Sequence, residues 1–154
     1  MRITKVQDFL EKHNIKYTTI KHSRAYTSSE IAESAHIPGE EIAKTVMAKI
    51  DDKMSMVVLP ASRKVDFDLL KEASGGGEVA LATEEEFQYL FTECEVGAMP
   101  PFGNLYGMEV FVDETLTEDK EIAFNAGAHT DLIRMAYNDF ERLVNPKVVK
   151  VSRH

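Results

Sequence analysis

Cysteine is nearly absent. Cys94 is the only one in 154 residues, so no intrachain disulfide can form and a cysteine-rich metal knuckle is excluded. That usage fits a reducing, cytoplasmic setting, with Cys94 a small buried hydrophobe rather than a nucleophile. No apolar run approaches the ~20 residues of a membrane-spanning helix. Met1-Arg2-Ile3-Thr4 leads into an amphipathic pattern and not a signal peptide, so no membrane association is expected. Positive charge is in deficit: 18 Lys and Arg against 26 Asp and Glu give a net charge of −8. Broad binding to a nucleic-acid backbone depends on neutralising phosphates and is disfavoured; recognition of one phosphate or one nucleotide end is not. Repeats and low-complexity segments are missing. So are the G-x-S-x-G elbow, H-E-x-x-H and the G-x-x-x-x-G-K-[ST] loop, which leaves covalent serine or cysteine catalysis without local support. The histidines are scattered, and His129-Thr130-Asp131 has no second histidine near it, so neither a metal nor any other cofactor is expected.

An apolar content of 44% with 29% charged residues is that of an ordinary globular chain. Its length points to one domain over residues 1–154, large enough to bury a core unaided. The pattern predicts a helix over Thr4–Asn14 with a Thr4/Gln7 capping box and a short strand over Lys16–Lys21. A second helix opens at a Thr27/Glu30 box and runs to about His36, where Pro38-Gly39 ends it. Ile42–Ile50 and Met54–Leu59 read as a hairpin about Asp51-Asp52-Lys53. Asp66 caps a helix through Ala73, which Gly75-Gly76-Gly77 stops; the triple glycine follows a helix and is no phosphate loop. Val79–Ala82 is a short strand, and Thr83/Glu86 boxes a helix to about Phe91. Tyr106–Val112 is a strand ending in the acidic turn Asp113-Glu114. Glu121–Ala126 and Leu132–Ala136 pair around Gly127. Asn138 with Glu141 caps a last helix, and Lys147–Val151 is an edge strand. This interleaving predicts a mixed α/β fold and not a regular βαβ sheet.

Three stretches could carry chemistry. Val96-Gly97-Ala98-Met99-Pro100-Pro101-Phe102-Gly103 is a stiff, shaped loop, because adjacent prolines fix φ and remove two amide donors. Lys44 shares a strand face with Val46, Ala48 and Ile50, so it either snorkels to solvent or meets an anion. Asn125-Ala126-Gly127-Ala128-His129 is a turn of small residues with room for a ligand or a close backbone approach.

Lys44-Thr45 on a strand, the Gly97-Ala98-Met99-Pro100 loop, and Asn125-Ala126-Gly127 followed by His129 occur in that order. Together they resemble the YbaK family, the prolyl-tRNA synthetase editing-domain family, over nearly the whole chain. The resemblance implies a curved, barrel-like mixed sheet with flanking helices. It also implies a trans-editing aminoacyl-tRNA deacylase that hydrolyses the ester of a mischarged small amino acid at the 3′ terminal adenosine of tRNA, with an aminoacyl-tRNA synthetase as a further partner. Lys44 matches the family's signature lysine, and Gly97 through Pro101 match its G-x-x-x-P loop, with Pro100 an additional proline. The histidine at His129 occurs in only part of the family. The implied catalytic residues are Lys44, Gly97 and His129. Thr45, Ala98, Met99, Pro100, Asn125 and Gly127 are implied in substrate binding, and Met47, Ala98, Met99 and Phe102 are candidates for the pocket wall. Water can attack an activated ester directly, so the protein need only position it and stabilise developing charge. The alternative is a non-catalytic module on the same fold that binds a tRNA end, a nucleotide or a synthetase.

Overall fold

A computed structural model describes residues 5–21, 37–91, 94, 98–128 and 130–154. The predicted helix from Thr27 to His36 and the cap at Thr4 lie outside these residues. Described are helices α1 (Lys5–Lys12), α2 (Phe67–Ser74), α3 (Glu84–Phe87) and α4 (Tyr137–Val144). The strands are β1 (Tyr17–Lys21), β2 (Ala43–Ile50), β3 (Lys53–Pro60), β4 (Lys64–Val65), β5 (Val79–Leu81), β6 (Glu109–Asp113), β7 (Glu121–Asn125), β8 (Asp131–Ala136), β9 (Lys147–Val149) and β10 (Ser152–Arg153).

The β2–β3 hairpin is the centre. Asp51 and Asp52 both take positive φ, 49° and 66°, the mirror-image turn whose twist matches that of paired strands. The Asp51 carboxylate also accepts from the amides of Gly77 and Glu78, tying the turn to the glycine run after α2. β3 then pairs in parallel with β6, and β6 with β9. On the other side of β2, β5 covers only Ala48 to Ile50. A second sheet has the order β1-β8-β7. Ile42 forms a parallel bridge to Ala123, just before β2 begins, and this joins the two sheets into one curved surface. The described strands bend towards a barrel without closing it.

Curvature gives the sheet two different faces. The inner face carries the largest core: Ala43 and Met47 of β2, Met56 and Val58 of β3, Phe124 of β7 and Ile133 of β8, packed against Leu10 of α1 and Phe140 of α4. The outer face is covered in two patches. Leu59, Ala48, Phe111, Leu70 of α2 and Val151 form one; Ile42, Ala123, Leu132, Ile37 and Ala61 form the other.

Local chemistry sets most element ends as the sequence predicts. Asp66 accepts from the amides of Asp68 and Leu69, and Gly75 closes α2 at φ 71°. The Thr83/Glu86 capping box is present. Three boundaries differ. α3 stops at Phe87 and continues as one 3-10 turn over Gln88–Leu90. β6 starts at Glu109, not Tyr106, because Gly103–Tyr106 forms a 3-10 turn ended by Gly107 at φ 69°. Asn138 does not cap α4: the helix starts one residue earlier, at Tyr137, with Ala136 as its uncharged cap. The Tyr137 amide donates to the Lys120 carbonyl and its hydroxyl to Glu141, so the glutamate expected in the capping box is already engaged. Asp113 ends β6 and opens the acidic turn as predicted, and it is buried. Its carboxylate accepts from the Val151 amide at 3.0 Å and from Thr115. Burial raises its pKa, but the hydrogen bonds outweigh that and leave it below the usual value.

Asp119 shows the opposite balance. It lines a cleft of about 290 Å³ with Glu40, Glu118, Arg63 and His154. Burial, then the nearby charges of Glu41, Glu118 and Glu40, pushes its pKa up to about 6 from 3.8. The unfolded chain therefore releases this proton at lower pH than the folded one, and the group's contribution to stability falls as pH rises between those values. Asp119→Asn should raise the thermal midpoint at pH 7. The gain should shrink as pH falls through about 6 and vanish near 3.8. Thermal melts of both proteins across that range check it.

Candidate active site

Lys44 is the second residue of β2, and Asn125 the last of β7. The Ile42–Ala123 bridge is parallel and isolated, and Lys44 and Asn125 each lie two positions further along their strands. Alternate residues of a strand share a face. Ile42 and Ala123 face the outer patch, and Lys44 and Asn125 therefore face outward too, between the two outer clusters.

Neither side chain is satisfied. The half-buried Lys44 ammonium makes no hydrogen bond or ion pair among the described residues. Its pKa lies below the ordinary lysine value, first because burial disfavours the charged form and second because Lys64 repels it. An anion placed there would reverse both effects. The Asn125 Oδ1 atom is buried with no hydrogen-bond partner, a state that costs ~1–3 kcal/mol until a donor arrives.

The two other motifs meet. The Gly127 amide donates to the Ala98 carbonyl at 3.0 Å, stitching the small-residue turn to the Gly/Pro loop. Gly127 has φ 97°, and a Cβ there would lie 3.6 Å from Cys94 Sγ. The space is adequate, so the backbone conformation is what demands glycine. From Ala98 to Gly103 the loop is buried throughout. Met99 and Phe102 turn into the inner core, where the Phe102 ring lies 5.4 Å from the rings of both Phe124 and Phe140.

The structure places the candidate wall residues. Met47 and Phe102 belong to the inner core, across the sheet from Lys44, because β2 is apolar on both faces and alternation alone does not say which is ligand-facing. Thr45 likewise lies on the face opposite Lys44. Pro100 is buried beside Met99 and shapes the loop. Gly97 and His129 lie outside the described residues. Lys64 was not singled out in the sequence; its signal is the basic pair Arg63-Lys64 before Val65, which gains meaning only once β4 is placed beside β10.

A curved mixed sheet with a half-buried, unpaired lysine on one face, and a glycine turn hydrogen-bonded to a proline loop, defines a small mixed α/β domain. The chain belongs to the aminoacyl-tRNA editing domain family, whose profile matches residues 22–143. It is 26% identical over 149 residues, 94% of this chain and 89% of the relative, to the multifunctional Ser/Thr-tRNA deacylase ProXp-y of Escherichia coli strain K12. It is 32% identical over 89 residues to a proline–tRNA ligase of Halalkalibacterium halodurans, matching 58% of this chain but 15% of that protein. Among solved structures, one described as a candidate trans-editing enzyme for prolyl tRNA synthetase superposes with a TM-score of 0.81 at 21% identity, covering 97% of this chain and 95% of that one. Another, of a protein described only as hypothetical, gives 0.87 at 22% identity, with 97% and 99% covered. These two share the fold.

Gly127→Ala should lower unfolding stability by about 1–3 kcal/mol, the usual cost of a strained backbone position. A denaturant titration of both proteins measures this, and an unchanged midpoint would mean the turn relaxes freely.

Proposed function

We propose that residues 1–154 form one editing domain that hydrolyses, in trans, the ester joining a mischarged small amino acid to the 3′ terminal adenosine of tRNA. Family membership and the likeness to a Ser/Thr-tRNA deacylase along almost its full length support the reaction class. The observation that carries the assignment to a site is two unsatisfied groups on one sheet face, each two residues past the Ile42–Ala123 bridge: a desolvated cation without an anion and a buried acceptor without a donor among the described residues.

In this reading Lys44 takes the terminal phosphate or the ester carbonyl, and it offsets the negative charge that grows on the carbonyl oxygen as water attacks. Asn125 Oδ1 accepts from a donor of the substrate, its α-amino group or a ribose hydroxyl. Backbone amides at Gly97 and Ala98 serve the ester carbonyl or the substrate amino group, and Gly127 permits close approach. His129 contacts the substrate or the attacking water. Thr45, Met99 and Pro100 act from behind, by holding β2 and the loop in place. The ester cleaves into a free amino acid and the ribose hydroxyl, with water supplying the hydroxyl of the new acid, so no covalent enzyme intermediate is needed. Discrimination between substrates comes from cleft size, and one methyl group is worth only about 1–3 kcal/mol in a single step. The setting is the cytoplasm, and an aminoacyl-tRNA synthetase is the natural partner for delivery. Among the described residues no helix is long and apolar enough to cross a membrane.

The test is hydrolysis of tRNAs carrying serine, threonine, alanine, cysteine or proline by the wild type and by Lys44→Ala. Turnover of one or two of them, reduced about 100- to 1,000-fold in the variant, is the expected result. Full activity in Lys44→Ala removes the lysine from the mechanism. A folded wild type that binds tRNA but hydrolyses none of the panel favours the binding-module reading.

A further inference from the structure

Beyond the cleft, a short cationic track leads away from Lys44. β4 and β10 form a two-residue antiparallel ladder in which Lys64 stands directly opposite Arg153. The neighbouring pair, Val65 and Ser152, turns inward: Ser152 is buried and Val65 packs on the outer core patch. Lys64 and Arg153 therefore project to solvent, and both are exposed. Lys64 is close enough to Lys44 to depress its pKa. Arg63 and His154 flank the ladder, with Arg63 Nε donating to Ser152 Oγ and Arg63 Nη1 lying 3.1 Å from His154 Nε2.

Like charges directly opposite each other across a ladder destabilise it. Five cations have a carboxylate partner, Lys12 with Asp8, Lys49 with Glu86, Arg134 with Glu41 and Glu121, Arg142 with Asp139, and Lys147 with Glu109, while other exposed lysines, Lys16 and Lys53 among them, have none among the described residues; what sets the ladder apart is that its two unpaired cations face each other beside Lys44. Lys44, Lys64 and Arg153 take part in no ion pair among the described residues. A chain of net charge −8 repels nucleic acid in general, so productive approach needs a local track of the opposite sign.

We propose that Lys64 and Arg153 bind the phosphodiester backbone of the tRNA acceptor stem and guide its 3′ end to Lys44. The proposal rests on the editing reading for the identity of the nucleic acid. Its geometry stands independently, on an uncompensated cross-strand pair continuous with the site.

The experiment measures binding of uncharged tRNA to the full chain between about 50 and 200 mM salt, where backbone contacts dominate the salt dependence. Three proteins are compared: the wild type, Lys64→Gln/Arg153→Gln, and a control, Lys16→Gln/Lys53→Gln, with the same net charge and exposed cations far from the ladder. Each lost phosphate contact removes roughly 0.7–0.9 from the slope of log affinity against log salt, so the ladder variant should lose roughly 1.4–1.8 and the control little. With mischarged tRNA, the ladder variant should show a raised KM, and Arg153→Gln alone a raised KM with an unchanged kcat, because Arg153 is not placed at the ester. Equal slopes in wild type and ladder variant, an equal loss in the control, or no tRNA binding by the wild type would each overturn the proposal. If the ladder variant loses slope while the wild type hydrolyses no aminoacyl-tRNA, the track stands and the deacylase reading falls.

Discussion

The parallel bridge between Ile42 and Ala123 is the contact on which the arrangement depends. Without it the described strands form separate three-stranded and five-stranded sheets beside the two-stranded β4–β10 ladder. With it, β2 and β7 run side by side, the surface curves, and the inner face wraps the main core while the outer face is left to smaller clusters. Lys44 and Asn125 each lie two positions beyond that bridge, on the same face. Their positions differ by 81 residues in sequence, so no local pattern could bring them into one site.

A strand apolar on both faces is a costly place for a lysine. The cost is bearable because Lys44 is near the start of β2, where β5 does not reach, and the sheet turns outward there. Desolvation and the neighbouring Lys64 both work against its charge. Such a group is poised to gain from an anion, since binding restores what folding took away. Gly127 and Ala98 contribute differently. Their backbone hydrogen bond fixes the rim, and the apolar side chains of the loop are turned into the core, leaving main-chain groups at the edge.

Much of the fold was legible because it is written locally. The Asp51-Asp52 turn, the Asp66 cap, the Thr83/Glu86 box and the Gly75 stop each depend on residues within one turn of each other, and each appears as expected. Errors arose where a distant partner decides. Asn138 lost its capping role because Tyr137 is held by Lys120 and occupies Glu141. Asp113 opens the turn as expected, but its burial is matched by Val151, 38 positions on, which donates to it. Of the site, Lys44's unusual place on an apolar stripe was visible from alternation. Which of the wall candidates face one way was not, and the structure places Met47, Met99 and Phe102 together in the inner core. Opposed Lys64 and Arg153 were invisible, because only the fold places a segment near residue 64 against one near residue 153.

The central claim is that Lys44 and Asn125 act on one substrate from adjacent strands. A double-mutant cycle of Lys44→Ala and Asn125→Ala, read as kcat/KM on a mischarged tRNA the wild type hydrolyses, tests it most directly. Groups serving one reacting centre are non-additive, and a coupling of about 0.5–3 kcal/mol is predicted. Losses that add to within about 0.3–0.5 kcal/mol would mean that the two residues work independently and that the bridge does not build the site.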